Sequence, residues 1–233
     1  MGIEERYRRV AQQVAQTARE AGRDPGEVRL VAVSKTVGLS GVEAALAAGA
    51  RDFGENRPDA IKKKAGEYPQ ARWHFIGNVQ SRRIPDIVQC ASLVHSLYQE
   101  RHVARIDEAA RRLGKVQDVL LEVNVSGEES KSGVAPGQAG ALLRACETFA
   151  NVRVRGLMTM APQGDKAVAH ACFEDLARLH ARLRDGLDAQ RADAFDELSM
   201  GMSEDWQEAV FAGATIVRIG RAVFDDAFDE ADR

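Results

Sequence analysis

From residue 28 onward, short apolar runs alternate with stretches of helical periodicity. Val28-Arg29-Leu30-Val31-Ala32-Val33 is Val-rich and closes on Ser34-Lys35. An apolar run of that length predicts an interior strand of a parallel sheet. Similar runs predict strands at 29–34, 52–53, 73–76, 93–95, 118–125, 153–160, 197–200 and 215–219. Helical spacing between them predicts helices at 40–48, 58–68, 81–90, 100–113, 136–150, 167–190 and 203–212. Ahead of the first strand, Ile3, Tyr7, Val10, Val14 and Ala18 share one helical face, which predicts a leading amphipathic helix that ends at Gly22. Eight strands alternating with helices in 233 residues predict the α/β class. Within it, a (β/α)8 TIM barrel fits better than an open doubly wound sheet. No Pro/Gly/Ser-rich linker interrupts the pattern, so residues 1–233 are expected to form a single domain.

Composition narrows the function classes. Hydrophobic residues at 45% and charged residues at 29% describe a chain able to bury a full core. With 32 basic against 35 acidic residues the net charge is −3, so there is no global basic footprint and no nucleic-acid partner is expected. Cys90, Cys146 and Cys172 are widely spaced and odd in number, which suggests neither a disulfide framework nor a zinc site. No metal is expected. The charged N-terminus lacks a signal-peptide core, and no run reaches the roughly 18 apolar residues of a membrane span. A cytoplasmic protein with no membrane partner is the expectation, and a monomer is plausible for a closed barrel.

The candidate chemistry gathers at strand ends, where α/β folds place their ligands. Lys35 leaves the first strand and would face the pocket, where desolvation and neighbouring cations can keep its amine neutral enough to form a Schiff base. A solvated lysine at a strand exit is the plainer alternative. In Leu198-Ser199-Met200-Gly201-Met202-Ser203 a strand turns through Gly201 into a helix with Ser203 as its expected N-cap. Amides and hydroxyl there suit a phosphate, or simply start a helix. Ile216-Val217-Arg218-Ile219-Gly220-Arg221 ends the next strand, and loops after strands seven and eight of a barrel frequently hold phosphate. Arg218 alternates with Val217 and Ile219, so it can point into the barrel mouth; its alternative is an ion pair with Glu122. A Schiff-base lysine beside a phosphate grip points to pyridoxal phosphate, with Arg218 facing the pyridine nitrogen as a donor that leaves the ring unprotonated. Asn56 can contact a cofactor hydroxyl, whereas His74, on an apolar strand, reads as a hydrogen-bonded core residue more readily than as a base. The 122–133 segment reads as a solvated loop. P-loop, G-x-G-x-x-G, H-E-x-x-H and G-x-S-x-G motifs are absent.

Taken in order, Val31-Ala32-Val33-Ser34-Lys35, Phe53-Gly54-Glu55-Asn56-Arg57, Trp73-His74-Phe75-Ile76-Gly77, Leu198-Ser199-Met200-Gly201-Met202-Ser203 and Val217-Arg218-Ile219-Gly220 resemble the pyridoxal phosphate homeostasis protein family, which is related in fold to the N-terminal barrel of alanine racemase. The resemblance runs from about Leu30 to Phe224. It implies that Lys35 carries pyridoxal 5'-phosphate as an internal aldimine and that Ser203 and Gly220 contact its phosphate. By the same likeness Arg218 faces the ring nitrogen and Asn56 lines the mouth. Ser199, Gly201, Met202 and Arg221 complete the expected cofactor set. The implied role is vitamin B6 homeostasis: storing or delivering the cofactor, with apo pyridoxal enzymes as recipients and without catalytic turnover. The alternatives are a pyridoxal-phosphate-dependent amino-acid racemase, or a Schiff-base barrel enzyme acting on a phosphorylated metabolite. A two-base racemase needs a second proton donor, and neither Tyr7, Tyr68 nor Tyr98 is an evident one. The chain departs from the family at Arg221, which stands where Thr or Ser is usual, at Pro58-Asp59-Ala60 and at Asp225-Asp226.

Overall fold

The computed structural model describes residues 1–228. Eight parallel strands close into a barrel in sequence order. They are β1 (Arg29–Val33), β2 (Asp52–Glu55), β3 (Arg72–Phe75), β4 (Leu93–Leu97), β5 (Gln117–Glu122), β6 (Val152–Met158), β7 (Glu197–Ser199) and β8 (Ile216–Ile219). Closure comes from β8 pairing with β1, which sets Arg29 opposite Ile216 and Val31 opposite Arg218. The helices are α1 (Ile3–Glu20), α2 (Leu39–Ala47), α3 (Pro58–Glu67), α4 (Ile84–Cys90), α5 (Val103–Arg112), α6 (Ala139–Cys146), α7 (Lys166–Asp185), α8 (Ala189–Ala194), α9 (Trp206–Phe211) and α10 (Arg221–Phe224). The expected (β/α)8 TIM barrel with a leading helix is the architecture found.

Strand alternation divides the core in two. Outward residues such as Ala32, Phe53, Trp73, Phe75, Val94, Leu121, Val217 and Ile219 meet the helices in one large apolar cluster. Inside the barrel, Val31, Leu93, Leu120, Met158 and Ile216 form a small separate cluster. The helix after β8, α10, is only four residues long. The leading helix α1 completes the outer layer there, packing against α2, α9 and α10. Buried Arg6 fastens it, its Nε donating to the Val223 carbonyl at 2.9 Å.

The differences from the sequence expectations have local causes. The helix expected at 167–190 is two helices, because the chain leaves α7 at Gly186 and Asp188 starts α8 by accepting a hydrogen bond from the Arg191 amide. The helices expected from 81, 100 and 136 begin as single 3-10 turns, Ser81–Arg83, Glu100–His102 and Pro136–Gln138. The fifth strand stops at Glu122, and Val123 continues only as a bridge to Val134. The second strand is longer than its apolar content suggests, because Gly54 and Glu55 are both buried. No helix of the described residues is long and apolar enough to cross a membrane.

Between β5 and β6 the register shifts, Val119 opposing Val154 and Leu120 opposing Gly156. The extra residue is Arg155, which reaches out to the Ala194 carbonyl and Asp196. Gly156 accommodates this bulge at φ +149°, with the Glu197 carbonyl occupying the space a side chain would need. Gly156→Ala is therefore expected to lower stability by about 2–4 kcal/mol, through backbone strain and overlap. Urea unfolding measures it, and a loss within about 0.5 kcal/mol would contradict the close approach.

Candidate functional site

At the C-terminal ends of the strands lies a cavity of about 460 Å³, inside the roughly 300–1,000 Å³ range of small-molecule sites. Lys35, Asn56, Met202, Ser203, Arg218, Gly220 and Arg221 all line it. Ser199 and Gly201 lie behind the wall. Ser199 is fully buried under Arg218. Gly201 forms the turn, with φ +88° and its missing side-chain position occupied by Ala209 and Trp206.

Lys35 stands just past β1 on a pinned turn. The Ser34 amide donates to the Gly54 carbonyl at 3.0 Å, and the Ser34 carbonyl accepts from the Val37 amide at 3.1 Å. A buried pair braces it from behind. Lys64 Nζ donates to the Ser34 carbonyl at 2.8 Å and to Glu55 Oε1 at 2.5 Å, and Ser34 Oγ donates to the same carboxylate oxygen at 2.7 Å. Glu55 Oε2 has no hydrogen-bond partner among the described residues. Lys35 itself is exposed. The expectation that burial would desolvate its amine is corrected: the turn carries Lys35 clear of the buried end of β1 and onto the cavity rim.

Ser203 is not a helix cap. The N-cap of α9 is Asp205, whose carboxylate accepts from the Met202 amide at 2.6 Å. Ser203 Oγ instead accepts from the Gly220 amide at 3.3 Å, joining the ends of β7 and β8. Since α9 has six residues and α10 four, neither is long enough to develop much of a macrodipole. The anion donors on offer are the Ser203 hydroxyl, the Gly220 amide and the Arg221 cation. Arg221 is already engaged, pairing with Glu204 at 2.6 Å and lying 5.2 Å from the Phe228 ring centroid.

Arg218 enters from inside the barrel and is 4% exposed. Its Nη1 donates to Ser199 Oγ at 2.6 Å and its Nη2 to the Thr159 carbonyl at 3.0 Å. The ion pair with Glu122 considered as its alternative is not formed: Arg218 turns to Ser199 and Thr159, and Glu122 Oε1 accepts the Ser132 hydroxyl at 2.8 Å. Burial draws the Arg218 pKa down to about 10, with the charges of Asp205 and Glu122 opposing the shift. Burial also raises the carboxyls of Glu122 and Asp205. His74 is the buried core residue expected, hydrogen-bonded to His95 and Asp52. Sequence reading missed the roles of Glu55, Lys64 and His95; only His95, an ionisable residue within the apolar run Leu93-Val94-His95-Ser96-Leu97, carried a local signal.

The chain is similar over nearly its whole length to known proteins. A family model described as the alanine racemase N-terminal domain matches residues 6–227. The pyridoxal phosphate homeostasis protein of Pseudomonas aeruginosa is 42% identical over 226 residues, 95% of this chain and 94% of that protein. A crystal structure of an unknown protein from Bifidobacterium adolescentis superposes with a TM-score of 0.88 at 32% identity, covering 95% of this chain and 94% of its own. PipY of Synechococcus elongatus, solved with PLP bound, gives 0.77 at 32% identity, over 92% of this chain and 99% of that one.

Removing the cation behind Lys35 tests the bracing. Lys64→Met leaves the Glu55 carboxylate buried without its partner and is expected to cost about 3–5 kcal/mol in urea unfolding. Adding Glu55→Gln should recover much of it. A single-variant loss below about 1 kcal/mol would show that the pair does not carry the turn.

Proposed function

This chain belongs to the pyridoxal phosphate homeostasis protein family and to the wider alanine racemase N-terminal domain family, and from that membership we propose that it is an intracellular carrier of pyridoxal 5'-phosphate. It stores or delivers the cofactor in vitamin B6 homeostasis, without catalytic turnover. The observation that carries this reading is that an amine, a deep cation and an anion grip share one cavity: Lys35, then Arg218, then Ser203 with Gly220 and Arg221. When bound, the cofactor supplies an aldehyde that condenses with a primary amine, a phosphate and a ring nitrogen.

The residues fit those three groups. Lys35 is the primary amine on the cavity wall, and its exposure lets a free amine or aldehyde reach it. The long contact between the Gly220 amide and Ser203 Oγ is one that a phosphate oxygen can replace, accepting from both donors. Arg221 adds charge beside them, although Glu204 must share it. Arg218 can only donate, so it suits an unprotonated ring nitrogen and weakens the ring as an electron sink. Asn56 would take the ring hydroxyl, and Met202 lines the cavity within the phosphate turn.

The racemase alternative asks for a second base over the cavity, and the tyrosines stand elsewhere. Tyr7 is buried in α1, Tyr68 donates to the Leu39 carbonyl at 3.3 Å, and Tyr98 donates to Asn78 at 3.1 Å. This supports the carrier. Apo pyridoxal enzymes are the recipients in this reading. A reducing cytoplasm suits the free thiols of Cys90, Cys146 and Cys172, and residues 1–233 act as a single-domain monomer.

Two measurements test it. Cofactor-loaded protein should absorb near about 400 nm and, after borohydride, carry a pyridoxyl-phosphate adduct on Lys35. Lys35→Ala should lose both, and an adduct mapped to another residue would overturn the assignment. Loaded protein should also activate an apo pyridoxal enzyme faster than its cofactor dissociates into buffer. Transfer no faster than free release would remove delivery and leave storage, whereas turnover of an amino acid would favour the racemase.

A further inference from the structure

Five buried polar side chains form one unbroken file through the barrel interior. Arg218 Nη1 lies 2.6 Å from Ser199 Oγ, which lies 2.8 Å from His95 Nδ1. His95 Nε2 lies 2.8 Å from His74 Nδ1, and His74 Nε2 lies 3.0 Å from Asp52 Oδ1. None of the five is more than 4% exposed. Since β7 and β4 are not neighbours in the sheet, the Ser199–His95 contact spans the barrel interior.

The two ends fix where the protons are. Arg218 can only donate, and an ionised Asp52 can only accept. Arg72 clamps that carboxylate through both oxygens at 2.8 and 2.6 Å. His74 Nε2 must then carry its hydrogen toward Asp52, which leaves His74 Nδ1 as an acceptor. His95 therefore donates from Nε2 and accepts at Nδ1, and the hydrogen it accepts is the Ser199 hydroxyl's. That hydroxyl has no hydrogen left to turn against Arg218, and its oxygen faces the guanidinium as a pure acceptor. The reverse polarity would set a bare His74 nitrogen against the Asp52 carboxylate, which is repulsive. Every bond in the file points the same way, so each polarises the next.

We propose that Asp52, His74, His95 and Ser199 are positioning residues that hold the Arg218 guanidinium in one orientation and present it to the cavity as a fixed donor for a ligand acceptor atom. This role rests on the cofactor reading of the cavity, in which that acceptor is the ring nitrogen. Burial supports the neutral state of both rings: it lowers the His74 pKa and lowers that of His95 further, with His74 and Arg218 adding to the latter shift. For Asp52, burial alone would raise the carboxyl, but the hydrogen bonds from His74 and Arg72 outweigh it and leave the pKa lowered.

Nitrogen-15 spectra of the full chain without cofactor give the first test. His74 and His95 should both read as neutral Nε2–H tautomers, and the Arg218 guanidinium N–H signals should be resolved and slow to rotate. In Asp52→Asn the amide can turn to donate, so an Nδ1–H population should appear and the Arg218 signals should broaden. Ser199→Ala, which cuts the file next to Arg218, should broaden them too. An Nδ1–H or doubly protonated ring in the wild type overturns the polarity, and unchanged Arg218 signals in both folded variants overturn the positioning role. Pyridoxal 5'-phosphate binding gives the second test: Asp52→Asn should weaken affinity about tenfold in the wild-type background and less than about threefold alongside Arg218→Lys. Equal loss in both backgrounds would mean Asp52 does not act through Arg218. Wild-type protein that binds no cofactor would sink the carrier reading, while the ligand-free spectra still decide the file.

Discussion

Burying the Arg218 cation inside the barrel is the constraint from which the rest of the site follows. A guanidinium withdrawn from water is costly unless its hydrogens are bonded and its charge is balanced. Its side-chain bonds go to a hydroxyl and a carbonyl, so the balancing charge stands farther off, on Asp205 and Glu122 and, through the file, on Asp52. Closing the barrel supplies the geometry. Pairing of β8 with β1 sets Val31 opposite Arg218 and Ala32 opposite Ile219. A one-residue change of facing would turn Arg218 into the apolar layer under the helices and bring Val217 or Ile219 inside. Closure and charge placement are therefore one condition, set by the alternation within Ile216-Val217-Arg218-Ile219.

The same alternation lets short strands serve two environments. β3 sends Trp73 and Phe75 outward and His74 inward. β4 puts Leu93 in the inner cluster, Val94 in the outer layer and His95 in the file, and an irregularity after Val94 then turns Leu97 outward. Around the file, Val31, Leu93, Leu120, Met158 and Ile216 occupy the remaining interior. Apolar neighbours exclude water, which strengthens each bond in the file and raises the penalty for leaving one unmade. The inner cluster is therefore more than filler: it strengthens the neutral links, His74, His95 and Ser199, through which the Asp52 carboxylate orients a distant cation.

Those features of the fold that depend on period and length were legible in the sequence. Eight strand positions, the leading helix and the placement of Lys35, Ser203, Arg218 and Gly220 at strand ends follow from local pattern. The remainder depended on long-range pairing. Helix α9 starts after Asp205 with no side-chain cap, while the Asp205 carboxylate takes the Met202 amide and the Ser203 hydroxyl is drawn off by Gly220 from the next strand. The break at Gly186 follows from Asp188 restarting the helix, a choice that periodicity over 167–190 cannot separate from continuation. Glu55 and Lys64 looked like ordinary strand-end and helix-surface charges, because their meeting at Ser34 exists only once β1, β2 and α3 are packed. The Arg221 position looked free to serve a phosphate until Glu204 and Phe228 came beside it.

The depth of the groups separates carrying from catalysis. Under the carrier reading, the ring and phosphate of the cofactor are held by groups set deep or tied between strands, whereas the covalent bond forms at an exposed lysine. Lys35 also borders a second cavity, of about 350 Å³, flanked by Arg57, Lys63 and Lys64. Catalysis on an amino acid gains from the opposite design, a reacting carbon closed off from water between two placed bases. An exposed attachment point would leave Lys35 open to an incoming amine, while Arg218 and the Ser203–Gly220 grip would hold the ring nitrogen and phosphate. Retention and release are then governed by different residues, and a protein that must do both has reason to keep its reactive amine at the rim and its charge in the core.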